Sequence, residues 1–342
     1  MGDKSKIEWT DATWNPVIGC SMVSGGCQNC YAQRDASGRL KNHPDYSRVI
    51  HRKLWNGKFV FRHNVLDQPL RWQKPRTIFV CSMGDLFHES VPDEWIDDVM
   101  AVTAMAPQHR FMVLTKRPER MMKYFSVGAM CVRIGIRQSI EKLGGEDIGA
   151  RWKNEALPNL ALGVSIEDQK TADERIPILL QTPAAYRFVS YEPALNGVNL
   201  QTIVLKKKEH GPDVSINALY GWHGGADSDR TMIDLVIMGG ESGPNTRPMH
   251  PDWARSIRDQ CAAARVPFHF KQFGEWHEVP IGFTEECPAE PKHCCWLTPD
   301  GTFSAIGRGR YKDDSMLMFR VGKKRAGRLL DGKEHNGKIR WR

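Results

Sequence analysis

Three thiols stand close together near the start of the chain, Cys20, Cys27 and Cys30, spaced C-x6-C-x2-C. Thiolates are soft donors suited to iron–sulfur clusters and zinc. Gly25 and Gly26, between the first two, allow the backbone to fold tightly round an inorganic core. Three ligands leave one coordination position open. In a 4Fe-4S cluster an open iron can bind a small molecule, whereas electron-transfer clusters normally take four thiolates. The spacing therefore favours a catalytic cluster. The alternatives are a structural zinc site completed by His43, His51 or a distant cysteine, and thiols that bind nothing. Zinc sites more often carry two C-x2-C pairs, and only one is present.

The remaining cysteines are weaker candidates. Cys81 ends an apolar run and reads first as a buried structural thiol. Cys287, Cys294 and Cys295 could hold a second metal with His293, although adjacent cysteines rarely ligate one ion together. Nine cysteines without even spacing do not suggest a disulfide framework. No run approaches the roughly 18 apolar residues of a membrane span, and the start MGDKSKIEWTD lacks a secretory apolar stretch. A cytoplasmic protein with no membrane partner is expected.

The formal charge is +8, and residues 320–342 hold nine Lys or Arg against Asp331 and Glu334. The rest of the chain is nearly neutral in sum. Lys323, Lys324, Arg325 and Arg328 are therefore the candidate nucleic-acid contacts; the plain alternative is a solvated end.

These residues need a scaffold. With 342 residues, 41% of them hydrophobic, the chain can bury one large core or two ordinary ones. Apolar runs at 77–82, 110–116, 160–166, 186–192, 234–240 and 267–273 read as parallel strands buried on both faces, and WNPVIG (14–19) as a possible first strand. Segments 92–106, 168–181 and 250–264 carry helical periodicity behind Pro or acidic starts. Repeated βα units give an open sheet or a barrel. Cysteines occupy the position of a glycine-rich phosphate loop, so an α/β fold built as a full or partial (β/α) barrel is expected over residues 1–276. Long insertions fall at 126–158 and 197–231; the second contains Lys206, Lys207, Lys208 and GWHGGADSD. Residues 277–342 read as a C-terminal extension, basic at its end.

The run WNPVIGCSMVSGGCQNCYA, with FVCSMGDLFHESVP, VLTKRPER, GVSIED, SYEP, IMGGESGP and FKQFGEW in order, resembles a phage-associated family of three-cysteine, radical-SAM-like proteins. That family is distantly similar to spore photoproduct lyase, a radical enzyme that repairs DNA. The likeness extends from about Ile7 to GKKRAGRLLDG near the end. It implies a barrel of the radical-SAM type and a 4Fe-4S cluster on the three cysteines. It also implies S-adenosylmethionine cleaved to a 5′-deoxyadenosyl radical, and an electron donor such as a flavodoxin or ferredoxin. Two departures stand out. The usual spacing is C-x3-C-x2-C, three residues shorter in the first gap, and the aromatic residue common before the last cysteine is Asn29 here, with Tyr31 following.

In a barrel, functional side chains sit where strands run into loops. Ser82, Gly84, Asp85 and His88; Thr115, Lys116 and Arg117; Ser165, Glu167 and Asp168; Ser190 and Glu192; Glu241 and Ser242; and Lys271 and Gln272 occupy those ends. A methionine moiety needs acceptors for its ammonium and donors for its carboxylate. Asp85, Glu192 and Glu241 are the candidate acceptors, Lys116 and Arg117 the donors, and Ser165 a further cofactor contact. Gly239 and Gly240 would permit close approach of a ligand or form a plain turn. Asp168 is expected to cap a helix. Cys81 would be the catalytic thiol that returns a hydrogen atom, as a cysteine does in spore photoproduct lyase. Three functions stay open: a radical enzyme acting on nucleic acid, a metal-stabilised nucleic-acid-binding protein without catalysis, and a radical enzyme acting on a small molecule or protein.

Overall fold

The structure is a computed structural model that describes residues 5, 7–126, 129–146, 156–206, 213–221, 231–278, 294–305 and 314–341. Lys207, Lys208, residues 222–230 of the glycine-rich stretch, Cys287 and His293 lie outside the described residues.

Seven short strands carry the scaffold: β1 (Ala12–Trp14), β2 (Thr77–Val80), β3 (Arg110–Thr115), β4 (Leu160–Ile166), β5 (Tyr186–Tyr191), β6 (Leu235–Gly239) and β7 (Phe268–Gln272). They form one sheet in chain order, β1 to β7. The registers are parallel for β1/β2, β2/β3, β3/β4 and β6/β7. Parallel neighbours need crossovers, and helices supply them. They are α1 (Tyr31–Ser37) and α2 (Pro44–Val49) after β1, α3 (Asp93–Met105) after β2, and α4 (Pro118–Ser126) with α5 (Ala129–Lys142) after β3. Next come α6 (Gln169–Gln181) after β4 and α7 (Pro251–Ala264) before β7. Every residue of β4 and β5 is buried, as the unbroken apolar runs require. The chain is thus a mixed α/β protein, and its open strand series fits the partial form of a (β/α) barrel rather than the closed one.

One strand lies upstream of its expected position: β1 shares only Trp14 with the run WNPVIG (14–19). WNPVIG does not continue β1, because Asn15-Pro16 turns the chain out of the sheet after Trp14 and proline offers no N–H to a ladder. Val17–Ile18 pair instead, antiparallel, with Val60–Phe61.

The chain divides into two compact units: Met1–Ser165 with Arg175–Phe188 and Ile339–Arg342, and Ile166–Glu174 with Val189–Lys338. In the second, β8 (Trp276–Glu278), β9 (Cys294–Leu297), β10 (Phe303–Ala305) and β11 (Met316–Arg320) make an antiparallel sheet in the order β8-β11-β9-β10. The chain then returns along β7, where Phe270 N–H donates to the His335 carbonyl at 2.9 Å and Gly337 N–H to that of Phe268 at 2.9 Å. Leu330 is buried there and Leu329 exposed. In the first unit, Trp341 lies edge-on to Tyr186 at 4.6 Å and beneath the Arg110 guanidinium at 5.5 Å. Among the described residues no helix is long and apolar enough to cross a membrane.

The start of the cysteine loop is held by two glycines. Gly19 bridges Gly84 in the turn after β2, donating to the Met83 carbonyl at 3.2 Å and accepting from Asp85 N–H at 3.3 Å. A side chain on Gly84 would meet the Gly19 carbonyl at 2.8 Å; one on Gly19, whose φ is +110°, would lie 2.3 Å from the Lys58 carbonyl. Gly19→Ala is expected to cost about 1–3 kcal/mol through left-handed backbone strain and this collision. Chemical denaturation measures it, and an unchanged unfolding midpoint would mean that the loop is not anchored here.

Candidate metal centre

The cysteine loop lies across the ends of β2 and β3 in the first unit. Beyond Gly19 it passes Cys20, makes a 3-10 turn at Gly25–Cys27, and enters α1 with Cys30 as the residue before the helix. Two side chains tie it to the turn after β2. Asn15 Oδ1 accepts from Ser82 Oγ at 3.1 Å and Met83 N–H at 2.9 Å. Tyr31, the aromatic residue after the last cysteine, donates its hydroxyl to the Ser82 carbonyl at 2.8 Å.

Asp85 and Arg117 form the base of the site, both almost completely buried and paired at 3.0 Å. Asp85 also accepts from Thr115 Oγ1 at 2.7 Å and from the N–H groups of Phe87 at 3.0 Å and Lys116 at 3.3 Å. Arg117 reaches the cysteine loop with its remaining donors. One nitrogen lies 3.8 Å from Cys20 Sγ; another donates to Ser21 Oγ at 2.8 Å and the Ser21 carbonyl at 3.3 Å, while Nε meets Glu89 at 3.1 Å. His88 Nδ1 accepts from Ser90 N–H at 3.1 Å, which leaves the proton on Nε2 to donate to Ser21 Oγ at 2.8 Å. Burial first, then Arg117, lowers the His88 pKa against the pull of Glu89 and Asp85, so the ring is neutral at physiological pH.

The thiols are half-buried and chemically unequal. Burial, then Asp85, pushes Cys20 up to about 12 despite Arg117, and the charges of Cys30 and Cys27 add to the rise. Burial also raises Cys27, but the Lys116 ammonium and hydrogen bonds from Ser24 and Val23 outweigh it, and the thiol is lowered overall. Lys116 is itself held down to about 8, by burial and by Arg175, against the thiols that raise it. Arg175 donates to the Ser165 carbonyl at 2.7 Å.

Among the described residues no group of three or more His, Cys, Asp or Glu side chains converges as a ready-made metal shell. The donor set still suits an iron–sulfur core: three thiols share one loop, feel each other's charge, and face two cations that would offset the negative charge of metal-bound thiolates. His43 and His51 have other places. His43 accepts Asp45 N–H at the start of α2, and His51 is exposed on a hairpin. Cys81 is buried, has φ +56°, and is pushed up to about 12 chiefly by burial. Cys294 and Cys295 are buried on β9, with Cys295 also raised to about 12 by burial and then by Cys294.

The second unit holds further polar strand ends. Lys271 Nζ pairs with Glu192 at 2.9 Å, and Ser190 Oγ donates to the same carboxylate at 3.2 Å. Arg247 binds Glu241 through its backbone N–H at 2.8 Å and through its guanidinium. Gly239 leaves room for Glu192, whose carboxylate would lie 2.8 Å from an added Cβ, and Gly240 for the Phe273 carbonyl at 2.1 Å. Protein atoms therefore occupy the close approaches that these glycines permit. Asp168 caps α6, accepting from Thr171 N–H at 2.8 Å.

Sequence reasoning named Asp85, His88, Thr115, Lys116 and Arg117 but not Asn15, Ser21, Glu89 or Arg175. Each of these four is an ordinary loop or helix residue whose role depends on partners distant in the chain.

Two outcomes are expected. Asp85→Ala leaves a buried guanidinium without its main counter-charge and should cost about 3–5 kcal/mol; a loss below about 1 kcal/mol in denaturant unfolding would refute the pairing as a structural anchor. In metal-free protein at neutral pH, iodoacetamide should label Cys27 before Cys20 or Cys81, and Lys116→Met should slow it. Peptide mass mapping reads the order, and Cys20 reacting first would contradict the electrostatics.

No curated protein and no solved structure matches the chain. Residues 4–338 match a family described as "Protein of unknown function (DUF5131)". With nearly its whole length matched, the chain belongs to the DUF5131 family of proteins of unknown function.

Proposed function

We propose that this protein is an iron–sulfur enzyme of the radical S-adenosylmethionine type that modifies or repairs nucleic acid. The observation that carries the reading is the meeting of Cys20, Cys27 and Cys30 with Lys116 and Arg117, brought from the end of β3. In this reading Cys20, Cys27 and Cys30 hold a 4Fe-4S cluster. Bound there, the group would supply an electron that cleaves S-adenosylmethionine to methionine and a 5′-deoxyadenosyl radical. A partial (β/α) barrel of the radical-SAM type is the finer form of the mixed α/β fold that goes with it. A flavodoxin or ferredoxin would supply the electron, and the cytoplasm would be the compartment.

The chain's own residues prepare the site. Lys116 and Arg117 stabilise negative charge on the thiolates, in surroundings where burial would otherwise favour neutral thiols. Asp85 orients Arg117, and Thr115 orients Asp85, so the guanidinium is fixed before any ligand arrives. Ser21 and His88 hold the loop between the first two cysteines. Lys116 and Arg117 are the candidates for the methionine carboxylate; Arg117, whose donors go to Asp85, Glu89 and the cysteine loop, would have to exchange one of them. Asp85, Glu192 and Glu241 already have cationic or hydrogen-bonding partners, which any ligand ammonium would have to displace or share.

Anaerobic reconstitution should give brown protein with about four irons per chain. Cys20→Ala, Cys27→Ala and Cys30→Ala should each lose the colour, whereas Cys261→Ala in α7 should retain it. Added S-adenosylmethionine should change the electron paramagnetic resonance signal of the reduced protein and yield 5′-deoxyadenosine. A colourless zinc protein would overturn the reading. Full iron with an unchanged spectrum and no cleavage would reduce it to an electron-transfer or structural cluster.

A further inference from the structure

The near-neutral sum outside the C-terminal segment hides a second concentration of charge. Residues 31–63 hold eight Lys or Arg against Asp35 and Asp45 alone. They follow Cys30 directly and fold as α1, α2 and a hairpin of Ile50–His51 with Leu54–Trp55. Ala32, Ala36, Tyr46 and Val49 belong to one apolar cluster in the first unit, and Cys30 and Trp55 pack against it. The basic segment is therefore fixed to the cysteine loop through its own core.

The two acids are already used. Arg39 meets Asp35 at 2.7 Å, and Arg62 meets Asp45 at 2.8 Å. Lys41, Arg48, Arg52, Lys53 and Lys58 are all exposed, and among the described residues none of the five side chains has an acidic partner. So many uncompensated cations in one short segment repel, and a multivalent anion would relieve that repulsion.

The hairpin tip adds a second indication. Arg52 and Lys53 are its two turn residues, at φ 48° and 68°. Such turns favour Asn-Gly, because both positions are left-handed and a longer side chain is strained there. Two long cations accept that strain at the exposed tip of the hairpin, with Leu54 exposed beside them.

Resting on the nucleic-acid reading above, we infer that this hairpin is a phosphate-backbone clamp, with Arg52 and Lys53 contacting successive phosphates of the bound nucleic acid. Lys41, Arg48 and Lys58 extend its positive field. A narrow two-stranded ribbon with cations at its tip fits a nucleic-acid groove. A protein partner would more commonly be met by a central cluster of apolar and aromatic anchors. On the hairpin, Trp55 is turned onto the core, and Leu54 is its one exposed large apolar side chain among the described residues.

The test is the double variant Arg52→Asn with Lys53→Gly, which installs the residues the turn prefers and should leave the melting temperature equal or higher. Binding of the full-length, cluster-loaded protein to a fluorescein-labelled DNA duplex, and to the matching single strand, is followed by anisotropy across a salt series. The variant should bind the duplex about tenfold more weakly, and its slope against log salt should fall by about two units, near one for each phosphate no longer neutralised. If the parent binds and the variant matches it in affinity and slope, the clamp is refuted while the nucleic-acid reading stands. If the parent binds neither probe, the nucleic-acid reading itself fails and the clamp with it. Unchanged DNA binding with slower reduction of the cluster by a flavodoxin would assign the surface to an acidic protein and overturn the proposal.

Discussion

Burying the Arg117 guanidinium beside the Asp85 carboxylate is the constraint around which the first unit's site is arranged. Two charges removed from water are costly unless each finds a full set of hydrogen bonds. Asp85 obtains its set from Thr115 at the end of β3 and from Phe87 N–H and Lys116 N–H in the turns after β2 and β3. Arg117 directs its remaining donors to Glu89 and to the cysteine loop at Ser21 and Cys20. The pair therefore joins two strand ends and the loop into one unit of structure.

That arrangement also governs the thiols. Burial and Asp85 make Cys20 resist ionisation even beside Arg117, and ionised thiols on one loop would repel each other. Lys116 acts most on Cys27 and Arg117 on Cys20, so each faces a different thiol. Lys116, depressed by burial, would gain most from negative charge placed on the loop. The asymmetry between a lowered Cys27 and a raised Cys20 follows from which cation each thiol meets and how deeply it lies.

In the second unit, the carboxylates suited to ligand binding are paired internally. Lys271 and Ser190 take Glu192, Arg247 takes Glu241, and the space beside Gly239 and Gly240 receives Glu192 and the Phe273 carbonyl. Such mutual satisfaction holds buried charge at low cost when no ligand is present. It also explains why a polar residue at a strand end is an incomplete argument for binding: its internal partner sits elsewhere in the chain.

Six of the seven strands, β2 to β7, three crossover helices, α3, α6 and α7, and the C-x6-C-x2-C spacing were legible in the sequence, whereas α1, α2, α4 and α5 were not. The legible features are local: a run of apolar residues, a helical period or a pair of glycines says what the backbone can do without knowing its neighbours. Asp168 as a cap was legible for the same reason. The end of β1 at Trp14 was less clear, since Val17 and Ile18 look like strand and only the competing partner Val60–Phe61 draws them away. Nothing local reveals that Arg117 reaches Ser21, that Tyr31 reaches Ser82, or that Gly19 and Gly84 touch. Nor does a charge total reveal that Asp35 and Asp45 are consumed by Arg39 and Arg62 while Arg52 and Lys53 have no acidic partner among the described residues. The sequence determined which chemistries were available. Tertiary structure decided which were combined, because burial and ion pairing depend on distances in space that a separation along the chain does not encode.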